Sequence, residues 1–182
     1  MIKPYSRGKI LLSKYLTSII VLLFTIIYLI LIQLIIGGII FGVSSLKLPV
    51  IVYDFTKEIV VEYNVFVYML IRIISKLPML LMILTISFSL STVINNVAIA
   101  TMFPLFVYIF TPSISYLIIQ YKVNFLKYFI NVNWQFHNYL FGQINEIEGV
   151  DLKFSLIVWN MYFVLILMFT YLNFKRKNIR NV

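Results

Sequence analysis

Residues 77–121 read LPMLLMILTISFSLSTVINNVAIATMFPLFVYIFTPSISYLIIQY, a run of 45 residues without a charged side chain. A helix needs about 20 apolar residues to cross a hydrocarbon core of roughly 30 Å, so this run is long enough for two spans. Its most polar stretch is STVINN at residues 91–96, and asparagine favours turns. We therefore predict spans at about 76–94 and 97–119, with the fold-back between them.

Two further charge-free runs lie on either side of this pair. Residues 15–46 contain 32 residues and residues 154–174 contain 21, so each run predicts one span, at about 15–40 and 154–174. The first run is too long for the apolar core of a signal peptide. The sequence thus predicts an all-α, polytopic membrane protein with about four transmembrane helices, forming a single transmembrane domain over residues 1–182.

The composition agrees with this class of protein. Hydrophobic residues make up 62% of the chain and charged residues 12%, whereas soluble domains are about half apolar and about a quarter charged. The net charge of +9 comes from residues that flank apolar runs, so we expect the lipid bilayer as the environment and no nucleic acid as a partner.

The placement of basic residues predicts the topology. Cytoplasmic segments of membrane proteins are enriched in lysine and arginine, and an even number of spans puts both termini on one side. We therefore expect both termini in the cytoplasm, and the use of Ile, Asn, Lys and Tyr suggests a bacterial plasma membrane. The basic residues of the two tails are Lys3, Arg7, Lys9, Lys14, Lys175, Arg176, Lys177 and Arg180, and the acids of the two long connections are Asp54, Glu58, Glu62, Glu146, Glu148 and Asp151.

The two outer connections are themselves apolar. Residues 60–76 could extend the second span outward or lie along the membrane surface. Residues 121–141, here called the aromatic segment, hold eight aromatic side chains, and amphipathic aromatics favour the headgroup level. We predict interfacial or re-entrant helices in this outer part of the chain.

No catalytic or metal-binding motif is present. The sequence has no H-E-x-x-H, no phosphate-binding loop and no cysteine, so we expect no catalytic residues, no metal, no cofactor and no ATPase site. His137 is the only histidine, and we interpret it as structural or interfacial. An intramembrane enzyme would instead depend on His137.

Two patterns in the spans have more than one interpretation. Thr85, Ser89, Thr92 and Asn96 follow one helical face, and this stripe could pack helices together or line a substrate path. Gly38 and Gly42 form a G-x-x-x-G, which could pack two helices closely or mark the end of the first span.

The N-terminal stretch reads PYSRGKILLSK at residues 4–14. It resembles the P-x-S-R pattern, followed by isoleucine and leucine and then by S/G-K, in membrane (permease) subunits of type-2 ABC exporters. In that family the segment is cytosolic and leads into the third of six spans. A close pair of spans, a partly re-entrant outer segment and a basic tail follow it, as they do here, so the likeness covers the C-terminal two thirds of that six-span domain.

The resemblance implies a permease subunit, or a C-terminal fragment of one, that forms part of a translocation path. It implies two partners, a separate ATP-binding subunit and a second permease chain in a homodimer or heterodimer. The chain would then be a truncated or split reading frame, or a shortened relative. The alternative is a non-transporting four-span interaction, assembly or immunity protein, for which Arg7→Ala would be harmless. The residues that the resemblance assigns to ATPase coupling are Pro4, Ser6, Arg7 and Lys14.

Overall fold

The computed structural model describes residues 6–42, 44, 47–94, 96–143 and 147–176. Four of its helical stretches are long and apolar enough to cross a membrane, which confirms the predicted count and the mainly helical class. Helix α1 is Arg7–Phe41, α2 is Val65–Val93, α3 and α4 together form the third stretch as Val97–Ile109 and Thr111–Tyr121, and the last long helix, α6, is Leu152–Arg176.

The helices extend beyond the predicted spans. Helix α1 begins at Arg7 instead of residue 15, and α2 begins at Val65 instead of residue 76. Residues 65–76 therefore continue the second helix, one of the two possibilities that their composition left open. Pro78 lies inside α2, so its missing N–H removes one helical hydrogen bond from the helix interior.

The fold-back between the second and third spans lies where the polar stretch predicts it. Helix α2 ends at Val93, and the Asn96 side chain accepts hydrogen bonds from the backbone N–H groups of Ala98 and Ile99, at 3.0 and 3.4 Å. This is a standard N-terminal cap. Asn96 therefore starts α3 and is not part of the face formed by the other stripe residues. Its assignment to that stripe was wrong because the helix has already ended.

The all-α prediction was wrong for residues 49–64. Strands β1 (Pro49–Asp54) and β2 (Ile59–Asn64) form an antiparallel hairpin. Both strands are rich in β-branched residues, which favour extended backbone, and the Asp54 carboxylate closes the turn by accepting from the backbone N–H groups of Thr56 and Lys57. The charged residues between the β-branched runs interrupt the alternation of apolar and polar residues by which a strand is recognised in a sequence.

The four long helices form an up-and-down bundle in which α2 is central, with contacts to α1, α3 and α6. Hydrogen bonds join α2 to its neighbours: Tyr15 of α1 pairs with Thr85 at 2.8 Å, and the Trp159 indole of α6 donates to the carbonyl of Pro78 at 3.2 Å. The end of the bundle that contains Arg7, Asn96 and the last turn of α6 is called the terminal end. The opposite end, which carries the strands, is called the hairpin end.

The aromatic segment, for which interfacial or re-entrant helices were predicted, forms three short helical turns. They are Asn124–Tyr128, the single α-turn α5 (Ile130–Asn133) and Phe136–Tyr139. Asn133 is fully buried, and its amide donates to the carbonyls of Lys127 and Phe129 while its oxygen accepts from Ser155 of α6. The amide of Asn133 thus supplies hydrogen-bond donors to backbone carbonyls of these short turns.

The glycine pattern at the end of α1 does not bring two helices together. A side chain added at Gly38 would meet nothing within 4 Å, and Gly42 adopts a positive φ of 76° where the helix ends. Glycine adopts a positive φ readily, whereas other residues rarely do. The structure therefore supports the second interpretation, a glycine-marked end to the span.

Candidate functional site

A cavity of about 670 Å³ opens at the hairpin end of the bundle. Most of its lining comes from three parts of the chain: the first half of α2 with Tyr68 and Arg72, helix α4 with Ser115 and Tyr116, and the aromatic segment with Gln135 and His137. Val52 of β1, Gln143 and Ile147 complete the lining. Its size falls within the range of ligand pockets, about 300–1,000 Å³. The cavity is therefore large enough for a small molecule or for the headgroup of a lipid.

Arg72 is the charged residue among the described lining residues, and none of these is acidic. Its guanidinium donates to the Tyr68 hydroxyl at 3.2 Å, four residues earlier on the same helix face, and lies 5.6 Å from the centre of the Tyr68 ring. Within the described residues no carboxylate forms an ion pair with Arg72. The cavity is thus lined by the positively charged Arg72 side chain, which interacts with the Tyr68 ring.

His137 lies beside this charge in an uncharged state at neutral pH. Burial lowers the pKa of His137, and the positive charges of Lys76 and Arg72 lower it further, because both effects disfavour an imidazolium. Its Nδ1 atom is buried and has no hydrogen-bond partner among the described residues. The histidine therefore adds a polar atom, but no charge, to the region around the cavity.

The hairpin is fastened to the rim of this cavity at Gly142. The backbone N–H of Phe55 donates to the Gly142 carbonyl at 3.0 Å, and the Gln143 amide donates to the Tyr53 carbonyl at 3.3 Å. Gly142 has a φ of 69°, and a Cβ there would overlap the Asp54 carboxylate. Hydrogen bonding from the Thr56 side chain lowers the pKa of Asp54. The side chain beside Gly142 is therefore an ionised carboxylate at neutral pH.

The predicted polar stripe lies elsewhere, on α2, where Thr85 contacts α1. Thr85, Ser89 and Thr92 are all buried. Thr85 donates to the carbonyl of Leu81 at 2.6 Å and pairs with the Tyr15 hydroxyl, and the Thr92 hydroxyl donates to the carbonyl of Ser89 at 2.7 Å. These contacts favour helix packing over a substrate path for the stripe.

The residues assigned to ATPase coupling lie at the terminal end. Ser6 directly precedes α1, Arg7 is its first residue, and Lys14 is exposed immediately before the first charge-free run. The Arg7 guanidinium donates to the carbonyl of Lys175 at 2.9 Å, a carbonyl in the last turn of α6 that has no partner within its own helix. Pro4 lies outside the described residues.

Arg72 was not among the site residues predicted from the sequence. A usable signal was present: Tyr68, Arg72 and Lys76 follow each other at steps of four, so an aromatic ring and two cations share one face of a helix. Ser115 and Gln135 could not have been assigned, because only the folding of the aromatic segment against α4 brings them together.

The fold and the two polar regions define a four-helix membrane protein with a pocket at one end and a basic helix junction at the other. The chain belongs to the family described as "Protein of unknown function (DUF2705)", whose model matches residues 1–180. It is 28% identical over 181 residues to "Uncharacterized protein YhcI" of Bacillus subtilis (strain 168). That match covers 100% of this chain and 57% of the relative, so the chain spans just over half of the relative's length. No solved structure matches the chain.

Proposed function

We propose that this chain is a permease subunit of an ATP-driven ABC exporter, coupled to a separate ATP-binding subunit and paired with a second permease chain. One observation carries the proposal beyond the resemblance at residues 4–14. Helix α1 runs unbroken from Arg7 to Phe41, and its first residue is hydrogen-bonded to the last turn of α6. A force applied to the residues around Arg7 would therefore move two membrane helices together.

The charges of the terminal end support a cytoplasmic position for it. Lys9 and Lys14 are exposed on the first turns of α1, and Lys175 and Arg176 lie in the last turn of α6. Basic residues next to spans favour the cytoplasmic side. An ATP-binding subunit, which needs cytoplasmic ATP, would then meet the face of the plasma membrane protein at which both termini lie.

The depth at which the aromatic segment packs against α2 supports the proposal. Trp134 is fully buried in a cluster with Met79 and Met82 of α2. These methionines lie 14 and 11 residues from Val93, the last residue of α2, or about 16–21 Å along the helix. This is near the middle of a hydrocarbon core of roughly 30 Å. We infer that the segment re-enters the membrane from the outer side, where it closes the outer end of the bundle.

The proposal is tested by gentle-detergent purification of the tagged chain from the membranes of its own host. We expect an ATP-binding subunit to co-purify. Arg7→Ala should lower its recovery several-fold, because α1 and α6 would no longer share the bond at Lys175. Lys9→Ala is the matched control, since it removes one exposed positive charge from the same helical turn, and it should change the recovery little.

Recovery of the intact chain without any ATP-binding protein would contradict the permease function and favour the interaction or assembly protein. Equal recoveries of the ATP-binding subunit with Arg7→Ala and Lys9→Ala would show that Arg7 has no specific role in ATPase coupling.

A further inference from the structure

We propose that the cavity at the hairpin end binds a phosphate-type anion, either the headgroup of an anionic lipid or a free phosphate, with Arg72 as its charged contact. This binding site is independent of the permease function. It would hold its ligand whether or not an ATP-binding subunit is present.

The first support is the depth of Arg72. It lies 21 residues from Val93, the last residue of α2, or about 30 Å along the helix. If the opposite end of α2 lies at one membrane surface, Arg72 reaches the other surface, because the hydrocarbon core is about 30 Å thick. The cavity then opens where phosphate headgroups are concentrated.

The second support is the set of donors around the charge. Guanidinium groups bind phosphate oxygens through two parallel hydrogen bonds. Ser115, Tyr116 and Gln135, whose side chains carry hydrogen-bond donors, line the same cavity, and a phosphate has enough oxygens to accept several hydrogen bonds. The described lining residues contain no acid that would repel such a ligand.

The third support is the mixed lining of the cavity, which contains apolar as well as polar side chains. Ile119 of α4 and Val132 and Leu140 of the aromatic segment line it beside the polar groups. Much of the surface of α4 is also exposed and apolar, including Leu117 and Ile119. An amphiphile could therefore place its headgroup at Arg72 and its chains along this helix.

The single histidine provides a direct readout of binding. His137 lines the cavity, and its pKa is lowered by burial and by the charges of Lys76 and Arg72. A bound anion would stabilise the imidazolium and raise this pKa. Because the chain has one histidine, its ring signals in an NMR pH titration of the full chain belong to this residue.

The experiment compares three preparations of the full chain: nanodiscs of phosphatidylcholine, nanodiscs containing phosphatidylglycerol, and phosphatidylcholine nanodiscs with inorganic phosphate. We expect the pKa of His137 to rise with the anion. A rise with phosphatidylglycerol alone identifies the lipid headgroup as the ligand, and a rise with inorganic phosphate shows that free phosphate is sufficient.

Three variants assign the effect to the cavity. Arg72→Gln should weaken anion binding about tenfold, which is the loss expected for one charge-assisted hydrogen-bonded contact. Ser115→Phe fills the cavity while it keeps the charge and should also abolish the response. Lys153→Gln removes an exposed charge at the same end of the bundle and should leave the response unchanged.

The proposal would be overturned if neither anion raised the pKa of His137 in the wild-type chain. It would also be overturned if Ser115→Phe, or a folded Arg72→Gln, kept the full response. Ser115→Phe retains Arg72, so the test stands even where Arg72→Gln fails to fold.

Discussion

Thr85 shows how a hydroxyl is accommodated in an apolar helix. Its side chain is fully buried, and it bonds to the carbonyl of Leu81 within α2 and to the Tyr15 hydroxyl of α1. A polar group without a partner is costly in an apolar environment, and here the neighbouring helix supplies the partner. The Tyr15 ring also lies 5.2 Å from the ring of Phe88, one turn further along α2.

The Tyr15–Thr85 hydrogen bond can be measured by a double-mutant cycle. Tyr15→Phe and Thr85→Val should each lower the free energy of unfolding by about 1 kcal/mol, the usual range for hydrogen bonds between membrane helices. Their effects should be less than additive, because the first substitution already removes the bond. Reversible unfolding in mixed micelles gives the four free energies, and strictly additive losses would show that the bond adds no stability.

For single residues, the sequence predicted which side chains share a helical face better than it predicted their contacts. The spacing of Thr85, Ser89 and Thr92 correctly indicated one helical face, and the structure buries all three. The sequence could not show that Arg7 bonds to the end of α6, since the two residues of that bond are 168 positions apart. For the same reason it could not bring Arg72 and Ser115 to one cavity.

The aromatic segment is the element that distinguishes this bundle from four plain spans. Three short turns are held by the side chain of Asn133 and by the Tyr139–Ser155 hydrogen bond, at 2.6 Å. Trp134 then inserts between α2 and α6, close to Trp159 and Tyr162. Buried polar side chains thus replace the regular hydrogen bonds that a longer helix would make.

Trp134 should therefore contribute strongly to the stability of the bundle. Trp134→Ala should lower the free energy of unfolding by about 3 kcal/mol or more, as expected for a large aromatic side chain removed from a packed interior. Phe125→Ala is the matched control, because Phe125 lies in the same segment with 63% of its surface exposed. Its effect should stay below about 1 kcal/mol.

The same unfolding measurement in mixed micelles compares the two variants. Equal and small losses would show that the segment lies on the surface of the bundle and does not insert into it.

The helices were predictable at the level of elements because charge-free length alone identifies a span. The hairpin was not, because residues 49–64 contain Lys57, Glu58 and Glu62 between short β-branched runs. A two-stranded sheet is marginal by itself, and this one depends on its bonds to Gly142 and Gln143. Those partners lie about 90 residues further along the chain, beyond the reach of a local pattern.

The whole molecule has two chemically different ends. The terminal end joins a basic helix start to a basic helix end through the Arg7–Lys175 hydrogen bond. The hairpin end encloses a cavity with Arg72 and His137. Between them, α1 presents mostly exposed large apolar side chains, as expected for a helix that faces lipid or a second chain. The permease proposal assigns the terminal end to energy coupling.

The most direct test of that assignment uses the absence of cysteine from the chain, since any introduced cysteine is then unique. Ser6→Cys at the terminal end and Lys57→Cys at the hairpin end are both exposed positions, and each would be cross-linked in native membranes with a short thiol-to-amine reagent. The permease proposal predicts a cross-link to an ATP-binding subunit from Ser6→Cys and none from Lys57→Cys. No cross-link from Ser6→Cys, or equal cross-links from both positions, would contradict it.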